Sequence, residues 1–550
     1  MQKVCLISIL YLIILSSFGC KTNQDQSKLV KTSERQPPNI ILIMADDMGF
    51  SDLGILGGEI STPNIDGLGE KGMIFSQFYN NARCCPTRAS LITGLYPHQT
   101  GIGHMTNLSE NYNAHDLNLP AYRGNLNQKT MTIAEMLKGE NYATYMTGKW
   151  HLGMEERDQW PLQRGFDRFY GILDGATNFF KPVYPRGITL NNDTISVTDE
   201  DYYTTDAFTD YAIKFINEGQ EVKKEQQQPF FLYLAFNAPH WPLQAPQQTI
   251  DKYKGKYGNG WQHLRKNRFN RMQEMGILSP DWKLSPQDSP DWDELSEEQK
   301  EEMDLRMAIY AAQVDRMDQN IGKLVTYLTN NDLMENTIIM FLMDNGACAE
   351  GGELGWGDKE QLETKEGYIL SYGQSWANAS NTPFRKYKHW LHEGGISTPL
   401  IIHWPDGIKK VNEGKFTEQY GFLPDIMATI KDVSKADYPK QKNGKALPAL
   451  SGNSLLPIIK GIDEPIHTEP IFWEHEGNKA VRLGRYKLVM EWKGELESVW
   501  ELYDMEKDRS ELNNLADQLP AKADKMSKMW QTWAEENQVQ PWNRIEDLMR

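Results

Sequence analysis

Five short apolar runs punctuate the chain: Ile40 to Met44, Tyr142 to Met146, Phe230 to Phe236, Thr337 to Met343 and Leu400 to Trp404. Each is too short for a helix, is bounded by turn residues and lacks the polar alternation of a half-exposed strand. That pattern predicts strands buried on both faces of a parallel sheet. Between them lie stretches of helical period, among them Thr132 to Leu137 and the long Ser296 to Leu328, where Met303, Met307, Tyr310 and Val314 recur on one face. The alternation predicts an α/β layer fold, a mostly parallel sheet sandwiched by helices. Past about residue 465 the pattern changes to closely spaced runs, Ala480 to Leu483, Tyr486 to Glu491 and Val499 to Tyr503. A last helix opens after Pro520 with Met526, Met529, Trp530 and Trp533 on one face. The expected division is a large domain over 38–464 and a smaller C-terminal subdomain over 465–550, an antiparallel sheet with a helix packed on it. Trp241 to Glu294 shows little periodicity and is expected to be a long excursion from the core, a binding loop or a solvated connector.

The first residues are set apart from the fold. Lys3 precedes the apolar run Val4 to Leu15, and small residues then lead into Cys20. The run is short for a membrane span and reads as a signal peptide over 1–19. A small residue followed by Cys20 is similar to a bacterial lipoprotein signal, with a lipid on Cys20, although Ser17 stands where that pattern has an aliphatic residue. An ordinary secretory signal is the alternative. Both export the protein, to the periplasm or to the outer membrane and cell surface of a bacterium, with membrane attachment only through the lipid. Residues 20–37, polar and ending at Pro37, are expected to be a tether.

Composition narrows the function. Hydrophobic residues make up 39% of the 550-residue chain and aromatics 11%, too many for a disordered protein. The formal charge of −17 argues against a protein that works by neutralising nucleic-acid phosphates. Of five cysteines, Cys5 and Cys20 belong to the leader, which leaves Cys84, Cys85 and Cys348. That is no disulfide scaffold, and adjacent Cys84 and Cys85 lack the partners for a tetrahedral zinc site.

Four of the five runs end directly in reactive side chains: Asp46-Asp47, Gly148-Lys149-Trp150-His151, Asn237-Ala238-Pro239-His240 and Asp344-Asn345-Gly346. In an open parallel sheet, ligands bind in the crevice beyond the carboxyl ends of the strands. Asp46, Asp47, Asp344 and Asn345 offer oxygen donors only, the set for Ca²⁺ or Mg²⁺ rather than zinc. Read singly, each Asp is equally the N-cap of a following helix. Cys84 to Gly94 reads as a helix, with Pro86 in its first turn and Gly94 as its stop. Cys84 taken alone is equally a buried packing residue.

Cys84-x-Pro86-x-Arg88, followed by Leu91-x-Thr93-Gly94, resembles the signature of the formylglycine-dependent (type I) sulfatases of the alkaline phosphatase superfamily. Ala45-Asp46-Asp47, Gly148 to His151, Pro239-His240, Asp344-Asn345-Gly346 and Lys388 to Gly395 extend the resemblance. Trp500 to Asp504 with Asn513-Asn514-Leu515 is similar to the ending of bacterial arylsulfatase-type members. Thr87 stands where the motif often has Ser.

The resemblance implies an alkaline-phosphatase-like fold, Cys84 oxidised to 3-oxoalanine (formylglycine) by a maturation enzyme, and Asp46, Asp47, Asp344 and Asn345, together with the modified Cys84, holding Ca²⁺, ahead of Mg²⁺. Arg88, Lys149, His151, His240 and Lys388 would surround the sulfate. A hydrated aldehyde carries two hydroxyls on one carbon, one to attack sulfur and one to expel sulfate later, which a thiol cannot do. His240 is the expected general acid for the leaving alcohol, and His151 the group that accepts the hydrate proton. In an extended segment Lys149 and His151 would project to the same side. Cys348 follows the second metal cluster closely, which leaves a contact with Cys85 open.

The implied partner is a sulfated sugar of environmental or host glycans. Its recognition is assigned to loops around the crevice: His98 and His104, the run Glu474-His475-Glu476, and the Trp-rich stretch after His240. Two rivals stand beside this reading, a phosphonate or phosphodiester hydrolase of the same superfamily and a glycan-binding surface protein without catalysis.

Overall fold

The computed structural model describes residues 36–106, 116–183, 185–222, 228–494, 496 and 498–549. The leader and Cys20 lie outside the described residues. Ten strands follow one another across the main sheet, with an eleventh short strand pairing at its side. At its centre lie β1 (Asn39–Ala45), β2 (Met73–Tyr79), β3 (Ala143–Lys149), β4 (Arg168–Ile172), β5 (Phe230–Ala235), β6 (Thr337–Met343) and β7 (Ser397–His403). Their order is β2-β7-β6-β1-β5-β3-β4. β6, β1, β5, β3 and β4 run parallel, and the register sets Met44 opposite both Leu342 and Ala235, and Ala235 opposite Gly148. Asp46, Lys149, Asn237 and Asp344 therefore leave the sheet along one edge. Gly148 has φ +103, and a Cβ there would lie 1.8 Å from the carbonyl oxygen of Ala235, so only glycine lets β3 turn toward the crevice at this point.

Successive residues of β1 enter different layers: Ile41 and Ile43 pack on one side, Ile40, Leu42 and Met44 on the other. The first layer is closed by α3 (Glu297–Asn330), whose Ser296 N-cap and Gln299 form a capping box and whose Met303, Met307, Tyr310 and Val314 are buried. The second is closed in part by α1 (Cys84–Thr93) through Cys85, Ala89, Leu91 and Ile92.

Two expectations need correction, and one strand went unread. β7 is antiparallel to both its neighbours, β2 and β6. Its amino-terminal end therefore faces the crevice, which is why its reactive residues, beginning at Lys388, precede the strand. β2 was not visible as an apolar run because Ser76 and Gln77 interrupt it at a register shift between Phe75 and Phe78. Trp241 to Glu294 is no excursion: it contains a short helix, Gln247–Asp251, and α2 (Gly260–Glu274). Trp261 and Trp292 pack with Trp376 at centroid distances of 5.3 and 5.9 Å. The period of α2 is hidden because its buried face includes Arg265 and Arg268, and Arg268 is paired with Asp52 at 2.6 Å and Glu59 at 2.8 Å.

The carboxy-terminal sheet is an antiparallel meander of β8 (Ile471–His475), β9 (Asn478–Leu483), β10 (Tyr486–Met490) and β11 (Trp500–Asp504). Trp473, Ala480 and Val489 on one face meet Tyr79, Leu391 and Ile396 of the larger part. Val481, Leu488 and Leu502 on the other meet Met526, Trp530 and Trp533 of α4 (Pro520–Glu536). Buried charges lock the junction. Glu393, just before β7, bonds Lys487 at 2.9 Å and Arg509 at 3.1 Å, while Glu511 bonds Lys487 at 2.8 Å and the Glu393 backbone N–H at 2.8 Å. Burial works to raise the Glu393 carboxyl, but Lys487, Arg509 and Arg482 overcome it and hold the pKa at about 2.

Glu393→Ala should lower unfolding free energy by about 3–5 kcal/mol, because it strands buried Arg509 and leaves Lys487 with Glu511 alone; a denaturant midpoint equal to that of the parent chain would disprove the junction's role. Since the folded pKa lies below the ordinary value of 4.5, the stability from Glu393 is present above that pH and is lost as pH falls through about 2.

Candidate active site

The residues that leave the sheet edge converge. Lys149 Nζ lies 2.7 Å from Asp46 Oδ2, Arg88 Nη2 lies 2.9 Å from Asp344 Oδ2 and 3.5 Å from Asp46 Oδ1, and Lys388 Nζ lies 2.8 Å from Asp47 Oδ2. Asn345 Nδ2 donates to Asp47 Oδ1 at 2.6 Å, and the Asp47 N–H donates to Asp344 Oδ1 at 3.1 Å. Asp46, Asp47, Asp344, Arg88, Lys149 and Lys388 are all buried, so three carboxylates are matched by three fixed cations away from water. Burial and the neighbouring Asp344 push Asp46 well above the carboxylate range. In Asp344 burial is outweighed, chiefly by Arg88, and the pKa falls; in Asp47 it is outweighed by Lys388 and His240.

Neither Asp46 nor Asp47 caps a helix: the next helical turn starts at Gly54, with Leu53 as its N-cap. Their carboxylates point inward instead. Asp46, Asp47, Cys84 and His240 bring one donor atom each within 4.8 Å of one another. Asp46 Oδ1 and Asn345 Oδ1 are buried without a hydrogen-bond partner. Unsatisfied buried oxygens beside two further carboxylates are what a hard divalent cation requires, so the residues present fit Ca²⁺ or Mg²⁺.

Cys84 is the first residue of α1, after Arg83 in extended conformation, and Gly94 ends the helix at φ +68. Burial pushes its thiol far above the ordinary range against the pull of Lys149 and Lys388. Cys85 faces away: its thiol donates to the His104 carbonyl at 3.5 Å and accepts from the Thr106 N–H at 3.3 Å. Cys348 lies instead beside Lys388 Nζ at 3.9 Å, and all three cysteines are free thiols, so no Cys85–Cys348 bridge forms.

The two histidines have fixed tautomers, because a carbonyl oxygen can only accept. His151 Nε2–H donates to Thr106 O at 2.8 Å, which leaves Nδ1 as a bare, buried lone pair with no partner. His151 does not share an extended segment with Lys149: its φ is +55, and the turn rather than strand alternation sets its ring. His240 Nδ1–H donates to Trp241 O at 2.6 Å, so Nε2 is the lone pair that faces Lys388 Nζ at 3.5 Å and Asp47 Oδ2 at 3.4 Å. Burial lowers the pKa of His240 to about 3 and of His151 well below its ordinary value, so both are neutral at neutral pH.

A cavity of about 710 Å³ opens from His240 and Lys388, walled by Arg83, Glu350, Trp241 and Trp356 among others. Glu350 links Arg83 at 3.0 Å and Lys388 at 3.6 Å and accepts from Trp241 Nε1 at 2.8 Å. Trp241 opens the Trp-rich stretch that the sequence pointed to, while Arg83, Glu350, Trp356 and Asp174, which also lines the cavity, were missed. Asp174 follows the end of β4, a strand that was not recognised, and Arg83 adjoins Cys84; both positions were signals. His104, Glu474, His475 and Glu476 are not part of that wall. Glu474 is buried against His98 at 2.8 Å, His104 packs on Tyr122, and Glu476 pairs with His389 at 2.9 Å.

A family profile described as Sulfatase matches residues 38–434, and one described as N-sulphoglucosamine sulphohydrolase, C-terminal, matches 384–539. An uncharacterized sulfatase of Schizosaccharomyces pombe is 33% identical, over 92% of this chain and 95% of its own. The arylsulfatase of Klebsiella aerogenes is 33% identical, over 78% of this chain and 93% of its own. The crystal structure of Ps i-CgsB in complex with k-i-k-neocarrahexaose superimposes with a TM-score of 0.67 at 27% identity, covering 92% of this chain and 94% of that one.

Protein stripped by a chelator should gain thermal stability when Ca²⁺ is restored, by about 2.7 kcal/mol at an ion concentration 100 times Kd. In Asn345→Ala the gain should shrink at equal calcium; an undiminished Tm shift would place the ion elsewhere.

Proposed function

The chain belongs to the sulfatase family of sulfuric ester hydrolases, and on that premise we propose that it removes sulfate from O-sulfated sugars through a formylglycine made from Cys84 beside a bound calcium ion. The observation that carries the reading is the place of Cys84: a fully buried, neutral thiol at the first position of α1, grouped with Asp46, Asp47 and His240. A protonated thiol is a poor nucleophile, so the position calls for conversion by a maturation enzyme. As a hydrated aldehyde, that side chain supplies a nucleophilic hydroxyl and a second one for expelling sulfate. A calcium ion held by Asp46, Asp47, Asp344 and Asn345 supplies positive charge for the sulfate oxygens and for the ionised hydroxyl.

The remaining roles follow from this chain's own atoms. Arg88 is pinned by Asp344 and by the Lys149 carbonyl at 3.0 Å, and with Lys149 and Lys388 it provides preorganised charge for an anion. His151 suits a base, because its only free nitrogen is a lone pair. His240 in its neutral tautomer has no proton on Nε2, so the proton for the leaving alcohol is held by Lys388, whose Nζ lies 3.5 Å from that nitrogen. Trp241 and Trp356 offer apolar faces and Glu350 a carboxylate, the mixture a sugar ring binds. Relatives named N-acetylgalactosamine-6-sulfatase and a structural neighbour solved with a bound hexaose support a glycan substrate. The proposal includes export, to the periplasm or the cell surface, by the leader that ends before Cys20.

Peptide mass spectra of protein from its native host should show the aldehyde or its hydrate at Cys84, and the same preparation should release sulfate from sulfated sugars. Thiol alone in a host that matures other sulfatases would favour the glycan-binding reading, and faster turnover of phosphonate or phosphate diesters would favour the phosphorus hydrolase. His151→Ala in matured protein should lower kcat by roughly 10²–10⁴-fold; an unchanged kcat would remove His151 from the chemistry.

A further inference from the structure

Outside the catalytic centre, one more set of metal-ligating side chains comes together among the described residues: His389, His475 and Glu476, each bringing one donor atom within 4.8 Å of the others. They come from two parts of the molecule. His475 ends β8 and pairs with Asn478, the first residue of β9; Glu476 and Gly477 between them have φ of +47 and +84. Two left-handed residues make a tight hairpin turn of the primed type, which swings Glu476 back beside His475, where simple strand alternation would have sent it to the opposite face. His389 follows Lys388 and has φ +92, a region that non-glycine residues rarely adopt, with its N–H bonded to Ala82 O at 2.7 Å.

The donors are spaced for one small ion. His389 Nδ1 lies 2.9 Å from Glu476 Oε2, and His475 Nε2 lies 3.6 Å from Glu476 Oε1. Ligand atoms around a tetrahedral zinc ion lie about 3.3 Å apart, from metal–ligand bonds of about 2.0 Å. His475 supplies the independent observation. Its ring is completely buried, and neither Nδ1 nor Nε2 has a hydrogen-bond partner. A buried imidazole with both nitrogens unsatisfied is a costly arrangement that a ligand bond to Nε2 would relieve. Glu476 and His389 are partly exposed, at 18% and 30% of their side chains, and give an ion a route in. Arg83 is the fixed cation that acts on both His475 and Glu476, and it is itself paired with Glu350 at 3.0 Å.

We propose that His389, His475 and Glu476 form a second metal site, of the two-histidine, one-carboxylate type with an open fourth position, which takes a borderline divalent ion such as Zn²⁺ and not the hard ion of the catalytic centre. The ion would tie the segment carrying Lys388 to the β8–β9 hairpin of the C-terminal sheet. It would so fix one wall of the site through the residue next to Lys388.

The test uses the full chain, stripped by a chelator and returned to excess Ca²⁺ so that the catalytic centre is filled. Calorimetric titration with zinc chloride should show one Zn²⁺ bound per chain, and Co²⁺ in its place should give the absorption bands of a four-coordinate ion. His389→Asn and Glu476→Gln, both at partly exposed positions, should weaken Zn²⁺ binding by roughly tenfold or more, and His475→Gln should do the same where circular dichroism shows it folded. Zn²⁺ should also raise the Tm of the parent chain and not of these variants. No zinc uptake in the presence of calcium, or uptake that His389→Asn and Glu476→Gln leave unchanged, would overturn the proposal.

Discussion

Three carboxylates buried side by side at the carboxyl edge of a parallel sheet set the terms for the rest of the molecule. Asp46, Asp47 and Asp344 cannot all stay ionised away from water without compensation, and the fold supplies it from three directions: Arg88 from α1, Lys149 from the end of β3, and Lys388 from the segment before β7. Each pair breaks if its element shifts by an ångström or two. The register that sets Met44 against Leu342 and Ala235 therefore does more than close a sheet; it places the charges. Removing one partner leaves an unpaired buried charge, so the cluster demands that its supporting elements stay in place.

That demand explains the C-terminal sheet. Lys388 belongs to no strand, and its backbone is anchored through its N–H to Ala347 O at 3.1 Å. A few residues on, Glu393 is gripped by Lys487 of β10 and by Arg509, and Lys386 pairs with Glu491 at 2.8 Å. The small sheet thus braces the segment that delivers the third cation. It has no direct share in the cavity wall, and its contribution to the chemistry is positional.

Much of this was legible in the sequence. The runs at 40–44, 230–236 and 337–343 announced the central strands, and the polar clusters that follow them announced the crevice, because a parallel sheet collects its strand ends on one side. What stayed hidden has physical causes. β2 was masked by two polar residues at a register shift, and α2 by the buried Arg265 and Arg268, of which Arg268 is neutralised by distant Asp52 and Glu59. Single-residue pattern cannot display a partner hundreds of positions away. The same limit applies to Glu350, whose role is visible only once Arg83, Lys388 and Trp241 surround it.

Proton placement was the least legible property, and it follows from backbone carbonyls rather than from side-chain identity. His151 and His240 are both histidines after strands, yet one bonds a carbonyl through Nε2 and the other through Nδ1. Thr106 O therefore leaves His151 with a bare Nδ1, and Trp241 O leaves His240 with a bare Nε2 directed at Lys388. Both rings are buried and neutral, so neither stores a proton at rest. The stored proton sits on Lys388, where burial opposes the charge but Asp47, together with its other neighbours including Glu350, more than offsets it. The carboxylate cluster that orients a cation and the lysine that can release a proton are thus one electrostatic unit, and shifting Asp47 would disturb both.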